Sequence, residues 1–383
     1  MRINSIELRN FRGIEKLSLK FPDTKTSVIV GINGAGKSSL LDCMAIMLSR
    51  LIGRIRASTE TGRFFSEYDI RNGTAETRNS IEITLGSQIL EWSVSKTGHG
   101  KKAQSITNLE NLKQVVAQFL PKGGVEESTN IPLAVYYHVN RAVLDIPLRI
   151  RGRHEFNQLT AYDQALTGAR NDFRLFFEWF RKREDIENEE LRDLTTLGKQ
   201  VLREPSAKYG ADRQLRAVRT ATEKLMPGFT NLRVCRYPTL KMTVEKAGAE
   251  LVVNQLSNGE KCLLAMTGDL ARRLAIANPS LNNPLDGQGV VLIDEVDLHL
   301  HPQWQRMIIP SLERTFPNCQ FIVTTHSPLV LSYLKKEQVF LIEDFKLVEK
   351  TPHTYGRDIG SILFDVMAVL DRPDEIKNRL EQC

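Results

Sequence analysis

The sequence feature that most constrains this chain is a glycine-rich loop between a strand-like and a helix-like segment. The loop reads Gly31-Ile32-Asn33-Gly34-Ala35-Gly36-Lys37-Ser38-Ser39. It follows the β-branched run 26–30 and precedes the apolar helical pattern 40–48. The pattern G-x-x-x-x-G-K-[ST] in this setting is typical of a phosphate-binding loop, because its glycines let backbone N–H groups turn toward phosphate oxygens. The alternative is a glycine-rich turn without a ligand, which the complete motif and both flanks disfavour.

We expect a bound nucleotide to contact most of this loop. Lys37 can reach the β- and γ-phosphates, and the Ser38 hydroxyl can ligate Mg²⁺. The other predicted phosphate-binding residues are Asn33, Gly34, Ala35, Gly36 and Ser39. The loop therefore predicts a nucleoside triphosphate and Mg²⁺ as cofactors.

The composition is that of an ordinary globular protein. Of 383 residues, 41% are hydrophobic and 26% charged, and the net charge of +6 permits a nucleic-acid partner without establishing one. The five cysteines are scattered and odd in number, which indicates reduced thiols and no zinc site. Neither a signal peptide nor a membrane-spanning apolar run is evident, so we expect a cytoplasmic protein with no membrane partner.

The order of the elements predicts an α/β fold with a helical insertion. Segments 3–8 and 14–21 alternate like paired strands. Continuous apolar runs at 290–293, 321–324 and 339–342 predict central strands of a mostly parallel, doubly wound sheet. The predicted units are an N-terminal lobe at 1–143, a helical insertion at 144–226, a C-terminal lobe at 227–350 and a helical tail at 351–383.

Two features of the predicted insertion each allow two interpretations. One is an aromatic stripe at helical spacing, formed by Phe173, Phe176, Phe177 and Phe180. We interpret it as a packing face rather than a base-stacking platform. The other is a basic cluster, formed by Arg149, Arg151, Arg153 and His154. Such a cluster is more often a solvated face than a contact to a phosphate backbone.

The apolar run 290–293 ends in two acids. In phosphate-loop enzymes the first acid at such a strand end lies near the Mg²⁺ that the loop serine holds. Asp294 is therefore the second predicted metal residue, after Ser38. Glu295 stands where a carboxylate could accept a proton from an attacking water.

The segment Ser257-Asn258-Gly259-Glu260 allows two readings that the local pattern does not separate. It is a capping box, in which Ser257 and Glu260 satisfy N–H groups at a helix start. A helix start with a hydroxyl and a flexible Gly259 is also an anion site that fits a γ-phosphate presented by a second subunit.

Two histidine-containing segments flank predicted helices. Ser327 and Pro328 form an N-cap signal that places His326 at the carboxyl edge of the sheet, where it can sense a γ-phosphate. His299 and His301 lack further ligands at metal-binding spacing, so we interpret them as packing residues.

These elements in this order resemble the ABC-type ATPases of the SMC, RecF and OLD group, over roughly 1–143 and 232–342. The opening Leu8-Arg9-Asn10-Phe11-Arg12-Gly13 is similar to the family turn whose arginine lies near the phosphates, which implies that role for Arg12. Segment 256–261 resembles the ABC signature, which implies nucleotide contacts for Ser257 and Gly259. Asp294-Glu295 resembles the Walker B pair, and His326 resembles the switch histidine.

Segment 293–305 is similar, more narrowly, to the small ATPases of bacterial anti-phage systems, such as the PtuA ATPase of Septu and retron-associated ATPases. Two features depart from the wider family. The expected loop glutamine is not identifiable, with Gln88, Gln104 or the region of Asp69 as candidates. The insertion is also far too short for the long coiled coil of SMC proteins.

The resemblance implies a homodimer or higher homo-oligomer with head-to-tail ATP sites. Each ATP would contact Lys37 and Ser38 of one chain and Ser257 of the other. Catalytic roles would fall to Glu295, Asp294, Lys37 and His326. Hydrolysis by a water activated by Glu295 would remove the bridging γ-phosphate and loosen the pair.

The leading hypothesis is an ATPase that senses and regulates within an anti-phage defence complex. Little chain follows residue 342, so we expect a separate effector nuclease, such as an HNH protein. The alternatives are a RecF-like DNA-repair clamp and an ATP-dependent scaffold with little turnover. A transporter ATPase fits the N-terminal turn less well.

Overall fold

The computed structural model describes residues 1–57, 59–102, 105–112, 129–139, 156–167, 173–196, 212–349 and 353–367. Three predictions lie outside these residues. They concern Gln104 as the loop glutamine, the basic cluster at 149–154, and the part of the predicted helical tail at 368–383. The boundaries of the four predicted units also stay predictions.

The N-terminal strands form an antiparallel sheet in the order β2-β1-β4-β5. Its strands are β1 (Arg2–Phe11), β2 (Ile14–Lys20), β4 (Glu76–Leu85) and β5 (Gln88–Thr97). Alternate side chains, such as Leu17 and Leu19 of β2, are buried, as expected for a sheet with one covered face. The β1–β2 turn holds Arg12 with φ +51°, a left-handed conformation.

The central sheet has the strand order β13-β12-β3-β11-β10-β6. Its strands are β3 (Thr26–Val30), β6 (Leu133–Tyr137), β10 (Gly289–Ile293), β11 (Cys319–Thr324), β12 (Val339–Glu343) and β13 (Lys346–Leu347). All neighbours are parallel except β12 and β13, which are antiparallel. Every residue of β3, β6, β10 and β11 is buried, which explains their continuous apolar sequences. The predicted fold class is confirmed.

Seven α-helices lie within the described residues. They are α1 (Lys37–Arg56), α2 (Phe173–Thr196), α3 (Arg213–Leu225), α4 (Asn258–Ala277), α5 (Pro302–Thr315), α6 (Pro328–Leu331) and α7 (Ile359–Met367). Helices α5 and α6 each begin with a proline, where its missing N–H costs no hydrogen bond. The described helices include none that is both long and apolar enough to span a bilayer.

A third, antiparallel sheet has the order β7-β8-β9. Its strands are β7 (Phe229–Cys235), β8 (Lys241–Lys246) and β9 (Ala249–Val252). The strand-like sequence pattern at 232–244 corresponds to parts of two strands and the turn between them. The turn at 236–240 divides it into β7 and β8, because Pro238 lacks the N–H that a continuous strand would donate.

The aromatic stripe of α2 is buried, with Phe176 and Phe177 at most 1% exposed. A Cβ on Gly268 of α4 would lie 2.6 Å from the Phe176 ring, so the two helices meet there in direct contact. The interpretation of the stripe as a packing face is confirmed.

Candidate nucleotide-binding site

The glycine-rich loop joins the end of β3 to the start of α1. Gly34 and Gly36 have φ values of +83° and +104°, which side chains with a Cβ rarely adopt. Gly36 is the N-cap of α1, so the free N–H groups of the first helical turn border the loop. A Cβ on Gly34 would meet no atom within 4 Å, which leaves that side of the loop open.

Lys37 lies folded back over the loop. Its Nζ donates hydrogen bonds to the carbonyl oxygens of Gly31, at 2.8 Å, and Ile32, at 2.9 Å. Burial lowers the pKa of Lys37, and the charges of Asp294 and Glu295 oppose that shift. The predicted phosphate-binding lysine and the predicted acidic pair therefore share one electrostatic environment.

Asp294 and Glu295 are held at the end of β10 by Thr324, the last residue of β11. The Thr324 hydroxyl donates to Oδ1 of Asp294 at 2.6 Å and accepts from the backbone N–H of Glu295 at 2.7 Å. Asp294 is buried, whereas Glu295 is half-buried and has a left-handed φ of +49°. This leaves Glu295 accessible from the edge of the sheet.

His326 follows β11 directly and lies near the same groups. Burial and the charge of Lys37 lower its pKa from 6.5, while the carboxylates of Glu295, Asp297 and Asp294 act in the opposite direction. The Ser327 hydroxyl accepts from the N–H groups of Leu329 and Val330, at 3.1 and 3.4 Å. The predicted N-cap is therefore present, and it fixes the chain next to His326.

Arg12 is bound to two carboxylates. Its Nη1 donates to Asp42 at 2.6 Å, and its Nε donates to Asp69 at 3.0 Å. Burial lowers the pKa of Arg12, but these carboxylates outweigh it and raise the pKa overall. Asp42 lies on α1, so Arg12 ties the β1–β2 turn to the helix that begins at Lys37. Its contact with phosphate stays a prediction.

Ser257 forms the predicted capping box. Its hydroxyl accepts from the Glu260 N–H at 3.3 Å, while Glu260 accepts from the Ser257 N–H at 2.9 Å. Lys246 also donates to Glu260, at 2.6 Å. Ser257 itself is exposed. The capping reading is therefore confirmed, and the exposure leaves the anion-site reading open.

Ser257 and Gly259 line a second cleft of about 480 Å³, whose wall also includes Phe229, His299 and Trp304. Gly259 is packed so closely that a Cβ there would lie 2.1 Å from the carbonyl oxygen of His299. The chain segment that follows Glu295 thus lies against the start of α4. Lys37, Asp294 and His326 are not among the residues that line this cleft.

The residues at the loop fit a nucleoside triphosphate with a divalent cation. Loop glycines with positive φ and the start of α1 offer N–H donors for phosphate. Ser38 and Asp294 offer hydroxyl and carboxylate oxygens, the ligands that Mg²⁺ accepts together with substrate phosphates. No cluster of three His, Cys, Asp or Glu side chains forms a metal site within the described ranges.

Two residues beside the acidic pair, Thr324 and His138, were missed by sequence reasoning. Thr324 has its role because β10 and β11 pair with Ile293 opposite Val323. His138 follows β6, whose last residue, Tyr137, accepts a hydrogen bond from the Asp294 N–H at 2.8 Å. No local signal marks either residue, since both depend on strand order.

Tyr137 also connects the site to α4. Its hydroxyl donates to Asp269 of α4 at 3.0 Å. Burial raises the pKa of Asp269, but Arg273 and Arg272 outweigh it and lower the pKa to about 2. A buried ionic network therefore joins the helix that begins after Ser257 to the strand beside Asp294.

The candidates for the loop glutamine have different surroundings. Gln88 is exposed and begins β5 at a hairpin turn, and Asp69 is occupied by Arg12. The third candidate, Gln104, lies outside the described residues.

Comparisons with known proteins agree with this geometry. Residues 126–332 match the family described as "AAA domain, putative AbiEii toxin, Type IV TA system", and residues 5–204 match a second AAA-domain family. The chain is 32% identical to the retron Ec83 probable ATPase of Escherichia coli, over 98% of this chain and 78% of that protein. It is 25% identical to Septu protein PtuA of Bacillus mycoides (strain KBAB4), over 94% of this chain and 44% of that protein.

Among solved structures, the fold is similar to an SMC head bound to the C-terminal winged-helix domain of ScpA. The TM-score is 0.51 at 16% identity, and the match covers 91% of this chain and 97% of that one. The SMC-like head fold expected from the sequence motifs is thereby confirmed.

Proposed function

This chain belongs to the AAA-domain family of SMC- and RecF-like ATPases that includes the probable ATPases of retrons, and we propose that it hydrolyses ATP between two copies of itself. The observation that carries the proposal is the strand pairing: β3, which leads to Lys37, and β10, which ends before Asp294 and Glu295, are both parallel to β11, so these residues lie at one edge of the central sheet. In open α/β folds, ligands bind at this carboxyl edge.

In the proposed reaction, water attacks the γ-phosphorus of ATP, the bond from that phosphorus to the β–γ bridging oxygen breaks, and ADP and phosphate are released. Glu295 accepts a proton from the water, and its left-handed backbone and its bond to Thr324 hold it at the edge. Lys37 exchanges its carbonyl partners at Gly31 and Ile32 for phosphate oxygens. Ser38 and Asp294 would hold Mg²⁺, which would supply positive charge against the transferring phosphate. His326, with its lowered pKa, is a neutral hydrogen-bonding partner for the γ-phosphate.

The head-to-tail dimer is proposed because the predicted site residues fall into two clefts. Ser257 is exposed in a cleft of its own, which a γ-phosphate from a second copy can enter. Neither copy then has a complete site, so ATP binding and dimerisation are coupled.

The biological role that we propose is sensing and regulation in an anti-phage defence complex. It is supported by relatives named for retrons and for Septu. We propose a separate effector nuclease, for example of the HNH type, and nucleic acid as a further partner. The proposed compartment is the cytoplasm.

The test compares the wild-type chain with Glu295→Gln. The glutamine keeps the size of the side chain but cannot accept the proton from water. We expect steady-state ATP hydrolysis to fall by ~10²-fold or more, as for loss of a general base. ATP binding should persist, and size-exclusion chromatography with Mg²⁺-ATP should show more dimer for the variant. Equal hydrolysis rates would remove Glu295 from the mechanism.

A further inference from the structure

The two-residue turn between β12 and β13 has an unusual sequence for its backbone. The register pairs Ile342 with Leu347 and Glu343 with Lys346, which leaves Asp344 and Phe345 as the turn. Their φ values are +46° and +63°. Such a turn favours Asn-Gly or Asp-Gly, because both residues need a left-handed backbone. A bulky aromatic residue in this conformation is strained, and strain of this kind points to a role for the side chain.

The half-buried ring of Phe345 lies between two functional segments. A Cβ on Gly36 would lie 2.9 Å from its Cδ1, and a Cβ on Gly13 would lie 2.3 Å from its Cε1. Gly36 is the N-cap of α1, and Gly13 follows Arg12 in the β1–β2 turn. The ring therefore contacts the backbone of the phosphate-binding loop and of the arginine turn at the same time.

The same hairpin supports the loop at its first glycine. A Cβ on Gly31 would lie 2.2 Å from the carbonyl oxygen of Ile342, the fourth residue of β12. Gly34, between the two, has open space beside it. Gly31 and Gly36, the two glycines that define the motif, thus lie against the β12–β13 hairpin, whereas Gly34 between them does not.

We propose that Phe345 is a positioning residue of the nucleotide site, which holds the Gly36 backbone and the Arg12 turn in the geometry that receives the triphosphate. The inference rests on the proposed function, since it requires ATP at this loop. The ring acts through Gly36 and Gly13, and removing it frees both segments to shift. A shift of the phosphate donors by a fraction of an ångström weakens ATP binding before any chemical step.

The test measures the dissociation constant for Mg²⁺-ATPγS by calorimetry with the full chain. Phe345→Gly suits the turn better but removes the ring, so we expect the dissociation constant to rise ~10-fold, as expected for misplaced binding groups. Asp344→Gly relaxes the turn without touching the ring, and its affinity should match the wild type.

The outcomes separate this inference from the proposed function. A wild-type chain that binds no nucleotide refutes the proposed function. A wild-type chain that binds while a folded Phe345→Gly binds equally well overturns only the role of Phe345. A loss of affinity in Asp344→Gly as large as in Phe345→Gly also overturns it, because the turn and not the ring would then matter. If Phe345→Gly does not fold, Phe345→Leu replaces it, and wild-type affinity in that variant counts against the proposal.

Discussion

The hydroxyl of Thr324 donates a 2.6 Å hydrogen bond to Oδ1 of Asp294. The Thr324 hydroxyl oxygen also accepts the N–H of Glu295 at 2.7 Å, and the carbonyl of Thr324 accepts the N–H of Val296 at 2.9 Å. One fully buried residue at the end of β11 therefore fixes three successive residues at the end of β10. The position of the proposed catalytic pair depends on a neighbouring strand rather than on its own segment.

Replacing this hydroxyl should impair both stability and hydrolysis. Thr324→Val keeps the shape but removes a partner from Asp294 and from Glu295, so the free energy of unfolding should fall by about 1–3 kcal/mol. Because the acids then shift, kcat should fall ~10- to 100-fold. Denaturant unfolding and steady-state hydrolysis measure the two effects. Thr324→Ser retains the hydroxyl and serves as the control, and an unchanged kcat in Thr324→Val would contradict the role.

Ser257→Asp should separate the two readings of the start of α4. Aspartate caps a helix as well as serine does, so the stability of the chain should be retained. Its negative charge would repel a γ-phosphate from a second copy, so ATP-dependent dimerisation and hydrolysis should be lost. Analytical ultracentrifugation with Mg²⁺-ATP measures the association.

Ser257→Ala is the matched comparison for this prediction. It loses the cap, at a cost of about 1 kcal/mol in unfolding free energy, without adding charge. If the serine acts only as a cap, Ser257→Ala should be the less stable variant and Ser257→Asp should still dimerise with ATP.

The parts of the site that could be predicted from sequence are those that depend on local backbone geometry. The loop before Lys37 and the capping box at Ser257 are each specified within a few residues, because glycine conformations and cap hydrogen bonds are local. The buried strands were also recognisable, since both faces of each are covered and their sequences are continuously apolar.

The parts that could not be predicted depend on pairing between distant segments. Thr324 lies beside Asp294 only because β11 is the neighbour of β10 in parallel register. Phe345 reaches Gly36 because β12 pairs with β3. The break between β7 and β8 does have a local signal, Pro238, but the alternating pattern around that residue obscured it. Non-local register has no signature in a single sequence.

The pH dependence of stability should report His326. Burial and Lys37 lower its pKa below 6.5 in the folded chain. The unfolded chain therefore binds a proton at His326 more readily than the folded chain does. The neutral ring then contributes to the free energy of unfolding above pH 6.5, and this contribution is lost as the pH falls through the folded pKa. When the pH is lowered from about 8 to 5, the free energy of unfolding should decline less in His326→Asn than in the wild type. An identical pH dependence of the two chains would contradict the lowered pKa.

Gly259→Ala should destabilise the chain although it improves helix propensity. Gly259 is buried in the first turn of α4, where replacing glycine by alanine would ordinarily raise the stability of the helix by about 1 kcal/mol. Its Cβ would lie 2.1 Å from the carbonyl oxygen of His299, so the segment that follows Glu295 must move. We therefore expect a lower melting temperature and slower hydrolysis. Asn258→Ala, at the exposed neighbouring position, tests helix propensity alone and should leave hydrolysis unchanged. A more stable Gly259→Ala with wild-type turnover would show that this backbone contact has no part in placing Glu295.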